Sequence, residues 1–231
     1  MLSKPHAAVL RQMIRNSSSA LPPHHYPALH SLQGGASASS QVLVMGPDDL
    51  IVSLSCSLNR PFGSGIITPS GILLNSQIIN FSWLTGAQNM TWLNQRNRIQ
   101  GGKRPLSWLM PTIVRPTGRR CGLYLTLGTP EGLQGLSGIA QVLIKVISDH
   151  KNLTDSLSEG RLHPSLQTNI ILVDSEFQEK RVQSLRRRGH VVQRVERLSL
   201  VSGAERRGDV MHGVTDPRSS EASAQTFAEP L

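Results

Sequence analysis

Between residues 41 and 45, and again between 50 and 58, apolar positions alternate with polar ones or run together. The two stretches flank Pro47-Asp48-Asp49, a composition suited to a tight connection. This pattern predicts two strands joined as a hairpin. Residues 62–74 are glycine-rich and then apolar, which predicts a loop leading into a short extended segment. Residues 75–119 lack sustained periodicity and contain Gly101-Gly102, Pro105, Pro111 and Pro116, so a long ordered loop with short strands is expected there. Residues 121–127 read as a buried strand ending at Gly128, and Ile139, Val142, Leu143, Val146 and Ile147 recur at helical spacing. A turn between such a strand and helix presents backbone amides at the helix N-terminus, where negative charge is stabilised. Further on, residues 169–173 predict a strand, 176–188 a charged helix capped by Gly189, and 190–200 an alternating strand.

The ends read differently. Residues 5–14 carry a weak helical pattern that dissolves into a His-, Pro- and Ser-rich stretch including Ser17-Ser18-Ser19 and Pro22-Pro23-His24-His25. Residues 1–36 are therefore expected to be a poorly ordered linker, 37–218 the folded domain and 219–231 a frayed tail. With 231 residues, 38% of them hydrophobic, the chain is long enough for one sizeable core. No run approaches the roughly 18 consecutive apolar residues that span a bilayer, and the N-terminus lacks the apolar centre of a signal peptide.

A formal charge of +9 raises the possibility of nucleic-acid binding. The basic residues, however, concentrate at Arg181, Arg186, Arg187, Arg188, Arg194, Arg197, Arg206 and Arg207, with few aromatics to stack on bases. A solvated helix face explains them better, and no nucleic-acid partner is expected. Cys56 and Cys121 sit in apolar strand-like contexts without metal-ligand spacing, so buried free thiols are favoured over a disulfide, which stays open in an oxidising compartment.

Several short signatures recur in a characteristic order: Ser39-Ser40-Gln41, Leu58-Asn59-Arg60-Pro61-Phe62-Gly63, Gly71-Ile72-Leu73-Leu74-Asn75, Gly102-Lys103-Arg104-Pro105-Leu106-Ser107, Met110-Pro111-Thr112-Ile113 and Arg161-Leu162-His163. Together they resemble the small subunit of the gamma-glutamyltranspeptidases, or glutathione hydrolases, which are N-terminal-nucleophile (Ntn) hydrolases. The resemblance runs from about Ser39 to Arg218, where Gly213 to Arg218 is similar to the family's closing segment. It implies an α+β fold, the small-subunit portion of a four-layer αββα sandwich. It also implies hydrolysis or transfer of gamma-glutamyl groups without cofactor or metal.

An Ntn hydrolase needs a hydroxyl or thiol residue that becomes a chain terminus by self-cleavage, so that its side chain attacks while its own α-amine serves as base. In register with the downstream motifs, the family's nucleophilic Thr falls on Ser39, after Gly34-Gly35-Ala36-Ser37-Ala38; scission is expected between Ala38 and Ser39. Composition alone would make Ser39 one more serine of a serine-rich linker. The family's supporting hydroxyl and substrate-contacting amide fall on Ser57 and Asn59. Alternation places Ser55, Ser57 and Asn59 on one face, as it would in any half-exposed strand.

Other positions depart from the pattern. The pair that binds the glutamyl α-amine falls on Gln77 and Asn80, so the expected Asp carboxylate is absent and binding of glutathione should weaken. The family's paired serines for the α-carboxylate become Ser107-Trp108, and its oxyanion-hole glycines become Glu131-Gly132, where a carboxylate beside a developing oxyanion is unfavourable. Ser39, Asn80, Trp108 and Glu131 together resemble a divergent mammalian branch of the family. His163 is expected to be a packed or hydrogen-bonding residue. Sequons at Asn16, Asn89 and Asn152 fit a secretory or extracellular setting, whereas a glycan on the fourth, at Asn80, would block the site.

The resemblance further implies a large subunit of the same precursor as partner, glutathione or other gamma-glutamyl compounds as substrates, and the outer face of the plasma membrane or the secretory pathway as location. The chain reads as a truncated form, weak or inactive alone, with exposed apolar sheet surface. The alternative is a non-catalytic relative that keeps the fold as a binding or regulatory module.

Overall fold

The computed structural model describes residues 3–14, 39–82, 97–117, 122–165 and 170–227. Helix α1 (Lys4–Met13) starts where the Ser3 hydroxyl accepts from the His6 amide and Pro5 occupies the first turn. The expected hairpin forms from β1 (Ser39–Met45) and β2 (Ile51–Ser57), antiparallel and in register from Ser39 opposite Ser57 to Met45 opposite Ile51. Among its described residues the long central segment holds a 3-10 turn (Gln77–Asn80) and a short strand, β3 (Thr112–Val114).

Strand β4 (Leu123–Gly128) lies between β3 and β8 (Ser202–Arg207), and β9 (Val210–Val214) completes a four-stranded sheet. Alternation gives β4 two distinct faces. On one, Leu125 and Leu127 join Ile139, Val142 and Val146 of helix α2 (Leu133–Ile147) and Leu153 and Leu157 of helix α3 (Leu153–Ser158) in the main core. On the other, the sheet meets the hairpin: a Cβ on Gly128 would come within 2.0 Å of Gln41 Oε1 and 3.4 Å of Leu43. At the hairpin turn, Asp49 accepts from the Tyr124 hydroxyl at 3.3 Å and pairs with Arg206, whose guanidinium lies 4.3 Å from the centre of the Tyr124 ring.

The hairpin turns inward the face that carries most of its polar residues together with Leu43, Met45 and Ile51. Ser39, Gln41, Ser53, Ser55 and Ser57 are half-buried, while Ser40, Val42, Val44, Val52, Leu54 and Cys56 point outward and are exposed. The four aliphatics are each more than half exposed, the bare apolar sheet surface expected from the sequence. The same alternation corrects the expectation of a buried thiol at Cys56, which is free and exposed. Cys121 lies outside the described residues, as do Asn16 and Asn89.

Beyond α2, strands β5 (Leu162–Ser165), β6 (Ile170–Val173) and β7 (Val191–Arg194) form a three-stranded sheet. Between β6 and β7 runs helix α4 (Glu179–Arg187), which buries Val182 against Val173 and Phe177 and exposes Arg181, Arg186 and Arg187. Gly189, at φ 86°, follows the helix and donates to the Arg186 carbonyl at 2.9 Å. The strand expected over 190–200 is shorter. From Leu198 to Val201 the backbone leaves the sheet and packs on α2, where a Cβ on Gly138 would lie 2.4 Å from Ser199 Oγ and 3.0 Å from Val201.

Candidate active site

Ser39 is the first residue of β1 and stands across from Ser57 on the inward face. Its hydroxyl donates to the Pro130 carbonyl at 2.5 Å, bridging 91 positions of sequence. Pro130 lies in the turn between β4 and α2, so Ser39 is bonded to the backbone of the segment that leads into the helix N-terminus. A cleft of about 560 Å³ lies there, lined by Ser39, Ser57, Arg60, Pro130 and Glu221 among others. The expected cleavage point before Ser39 involves residues 34–38, outside the described residues.

The turn itself is tightly determined. The Glu131 amide donates to Thr129 Oγ1 at 3.2 Å and the Gly135 amide to the Gly132 carbonyl at 3.0 Å. Gly135 must lack a side chain, because a Cβ would come within 2.4 Å of Thr129. Of the two amides expected to face an oxyanion, that of Glu131 is thus engaged, and that of Gly132 has no hydrogen-bond partner among the described residues. The Glu131 carboxylate is held elsewhere: Oε2 accepts from the Leu200 amide at 3.2 Å. Burial raises its carboxyl above the ordinary value, with the Leu200 amide, Arg197 and Arg161 acting in the opposite direction.

Ser57, Asn59, Gln77 and Asn80 come together at the end of β2. Asn59, buried and in the left-handed region at φ 68°, donates from Nδ2 to the Ser76 carbonyl at 3.3 Å and to Asn80 Oδ1 at 3.1 Å. Asn80 Nδ2 donates to Gln77 Oε1 at 2.8 Å, Gln77 Nε2 donates to the Ser57 carbonyl at 3.4 Å, and Ser57 Oγ accepts from the Asn59 amide at 2.8 Å. Three side-chain amides therefore form a closed, uncharged chain adjoining the residue opposite Ser39. Asn152 is exposed at the start of α3, where its Oδ1 accepts from the Asp155 amide at 2.7 Å and its Nδ2 donates to Asp155 Oδ2 at 2.9 Å.

Of the expected site residues, Ser39 and Ser57 line the cleft, whereas Asn59, Gln77, Asn80, Ser107, Trp108, Glu131 and Gly132 do not. Ser107 is exposed and accepts from the Leu109 amide at 3.3 Å, and Trp108 is half-buried. His163 is buried, with Nδ1 2.9 Å from the Ser137 hydroxyl. Sequence reasoning missed the cluster around Arg161, which is fully buried and bonded to Asp216 at 2.5 Å and to the Ser199 and Leu157 carbonyls. Arg218 completes it, joining Asp216 at 2.8 Å and Asp174 at 2.6 Å. The Arg161 and Asp216-Pro217-Arg218 signatures were legible, but nothing local shows that they meet.

The model of one protein family, Gamma-glutamyltranspeptidase, matches residues 1–226. Among curated proteins, "Glutathione hydrolase 7" of Bos taurus is 52% identical over 98% of this chain and 34% of its own length. The Homo sapiens protein of the same name is 51% identical over the same shares. The chain thus spans about a third of the length of these relatives. Among solved structures, the gamma-glutamyltranspeptidase of Pseudomonas nitroreducens complexed with L-DON superposes with a TM-score of 0.65 at 27% identity, covering 84% of this chain and all of that one.

Proposed function

Since this chain belongs to the gamma-glutamyltranspeptidase family and has its Ntn-hydrolase fold, we propose that it supplies the nucleophile-bearing part of a glutathione hydrolase, with Ser39 as the attacking residue. The observation that carries this reading is the meeting of Ser39 with the turn at the N-terminus of α2, through the 2.5 Å bond to Pro130. Scission before Ser39 converts its amide nitrogen into an α-amine. That amine takes the hydroxyl proton as Oγ attacks the gamma-glutamyl carbonyl carbon. The Gly132 amide donates to the oxyanion, the departing amine takes up the proton, and water or an amino acid resolves the ester. Asn59, Gln77 and Asn80, with Ser107 and Trp108 further off, would form the glutamyl subsite. The bare hairpin face would receive a large subunit of the same precursor. An exposed Asn152 fits glycosylation in the secretory pathway.

A second reading, that the chain is a non-catalytic module, is favoured by one feature. The closed amide chain through Asn80 offers no carboxylate to an ammonium group. Intact-mass spectrometry of the purified chain, alone and within a longer precursor, separates the two. A new terminus at Ser39, abolished by Ser39→Ala, is expected for the catalytic reading. An uncleaved chain in both forms would leave Ser39 without its base and sustain the non-catalytic one.

A further inference from the structure

The resemblance places the family's glycine pair on Glu131-Gly132, so the Glu131 carboxylate is an addition to that pattern. It reaches across 69 positions to the Leu200 amide. The peptide group that carries that amide, and the next one along the chain, are themselves held from behind. The Ser199 carbonyl accepts from Arg161, and the Val201 amide donates to Asp216 Oδ2 at 3.0 Å. Ser199 and Val201 are buried against Gly138 of α2. Glu131 therefore grips a strut that the core and the Arg161–Asp216 pair immobilise. At its other end, Glu131 is the residue between Pro130, which receives the Ser39 hydroxyl, and Gly132, whose amide is unengaged among the described residues.

We propose that Glu131 is a positioning residue: its carboxylate ties the β4–α2 turn to the Leu200 amide and thereby holds Pro130 and Gly132 in place around Ser39. The sequence presents Glu131 as damage to an oxyanion site; in this arrangement its negative charge is drawn away toward Leu200, and a tether replaces the lost glycine geometry. The positioning rests on the reading of Ser39 as nucleophile, whereas the tether itself does not.

The two are separable by amide hydrogen exchange and mass spectrometry on the full chain, comparing Glu131→Ala with Glu131→Gln, which keeps an acceptor oxygen. In Glu131→Ala, exchange at the Leu200 amide should accelerate roughly 10-fold or more, since a bond to a charged acceptor is lost. The Gly135 amide, which closes the turn on the Gly132 carbonyl, should accelerate with it while the urea midpoint stays within that of a surface substitution. Glu131→Gln should recover most of the protection at both amides, and any release of the Ser39 terminus should slow in the alanine variant and not in the glutamine one. Unchanged exchange at Leu200 overturns the tether, and faster exchange at Leu200 with Gly135 unaffected overturns the positioning. A wild-type chain that never cleaves refutes the catalytic reading instead, and the exchange pattern then decides the tether alone.

Discussion

Replacing Arg161 by methionine should destabilise the fold by about 3 kcal/mol, the lower end of the roughly 3–5 kcal/mol expected when one partner of a buried ion pair is removed. Two guanidinium groups, Arg161 and Arg218, face two carboxylates, Asp174 and Asp216; three of the four side chains have no exposure and Arg218 has 14%. The substitution leaves both carboxylates to one cation and strips the Ser199 carbonyl of its donor. Compensation is partial. Asp216 keeps Arg218 Nε at 2.8 Å and the Val201 amide at 3.0 Å, and the Leu157 carbonyl keeps Arg218 Nη2 at 2.8 Å. Burial opposes the charge on Asp216, but Arg218, Arg161 and the Val201 amide outweigh it and hold its carboxyl below the ordinary value. The contribution of that carboxylate is accordingly present above the unfolded value near 3.8 and lost as pH falls through the lower folded one. Urea unfolding followed by circular dichroism near neutral pH measures the loss, and adding Asp216→Asn to Arg161→Met should return part of it by removing the stranded charge. A single-variant loss below about 1 kcal/mol would refute the account, because it would mean that the cluster is hydrated or loosely paired.

Two further outcomes are expected. His163 is held neutral, since burial lowers its pKa below the ordinary 6.5. The unfolded chain therefore takes up this proton first on acidification, and stability present above 6.5 declines as pH falls toward the folded value. Thermal melts between about pH 7.5 and about pH 5.5 should fall less steeply for His163→Gln than for the wild type; parallel slopes would contradict the assignment. Asn80→Asp introduces a carboxylate that the Asn59 amide already addresses. On the proposed reading as part of a glutathione hydrolase, it should tighten glutathione binding by roughly 10-fold through a charge-assisted bond to the α-ammonium. Titration calorimetry that shows no gain would remove Asn80 from the glutamyl subsite.

The local elements were legible in the residues themselves. Alternation around Pro47-Asp48-Asp49 specifies the β1–β2 hairpin, helical spacing from Ile139 to Ile147 specifies the buried stripe of α2, and Gly189 ends α4, because periodicity and turn chemistry act over a few residues. Family motifs likewise marked Ser39, Ser57, Asn59, Gln77 and Asn80, which the fold gathers at one end of the hairpin.

Other features were decided only by packing. Either face of the hairpin could have been the buried one. The approach of Gln41 and Leu43 to Gly128 turns the serine set inward and leaves Val42, Val44, Val52 and Leu54 bare, which also exposes Cys56. The strand expected through residue 200 ends at Arg194, because Ser199 and Val201 find partners in Arg161, Asp216 and α2. Glu131 reads as an intrusion in one dimension and in three grips Leu200. In each case the deciding contact joins residues tens of positions apart, and no propensity or spacing within a short window encodes where a distant segment will arrive.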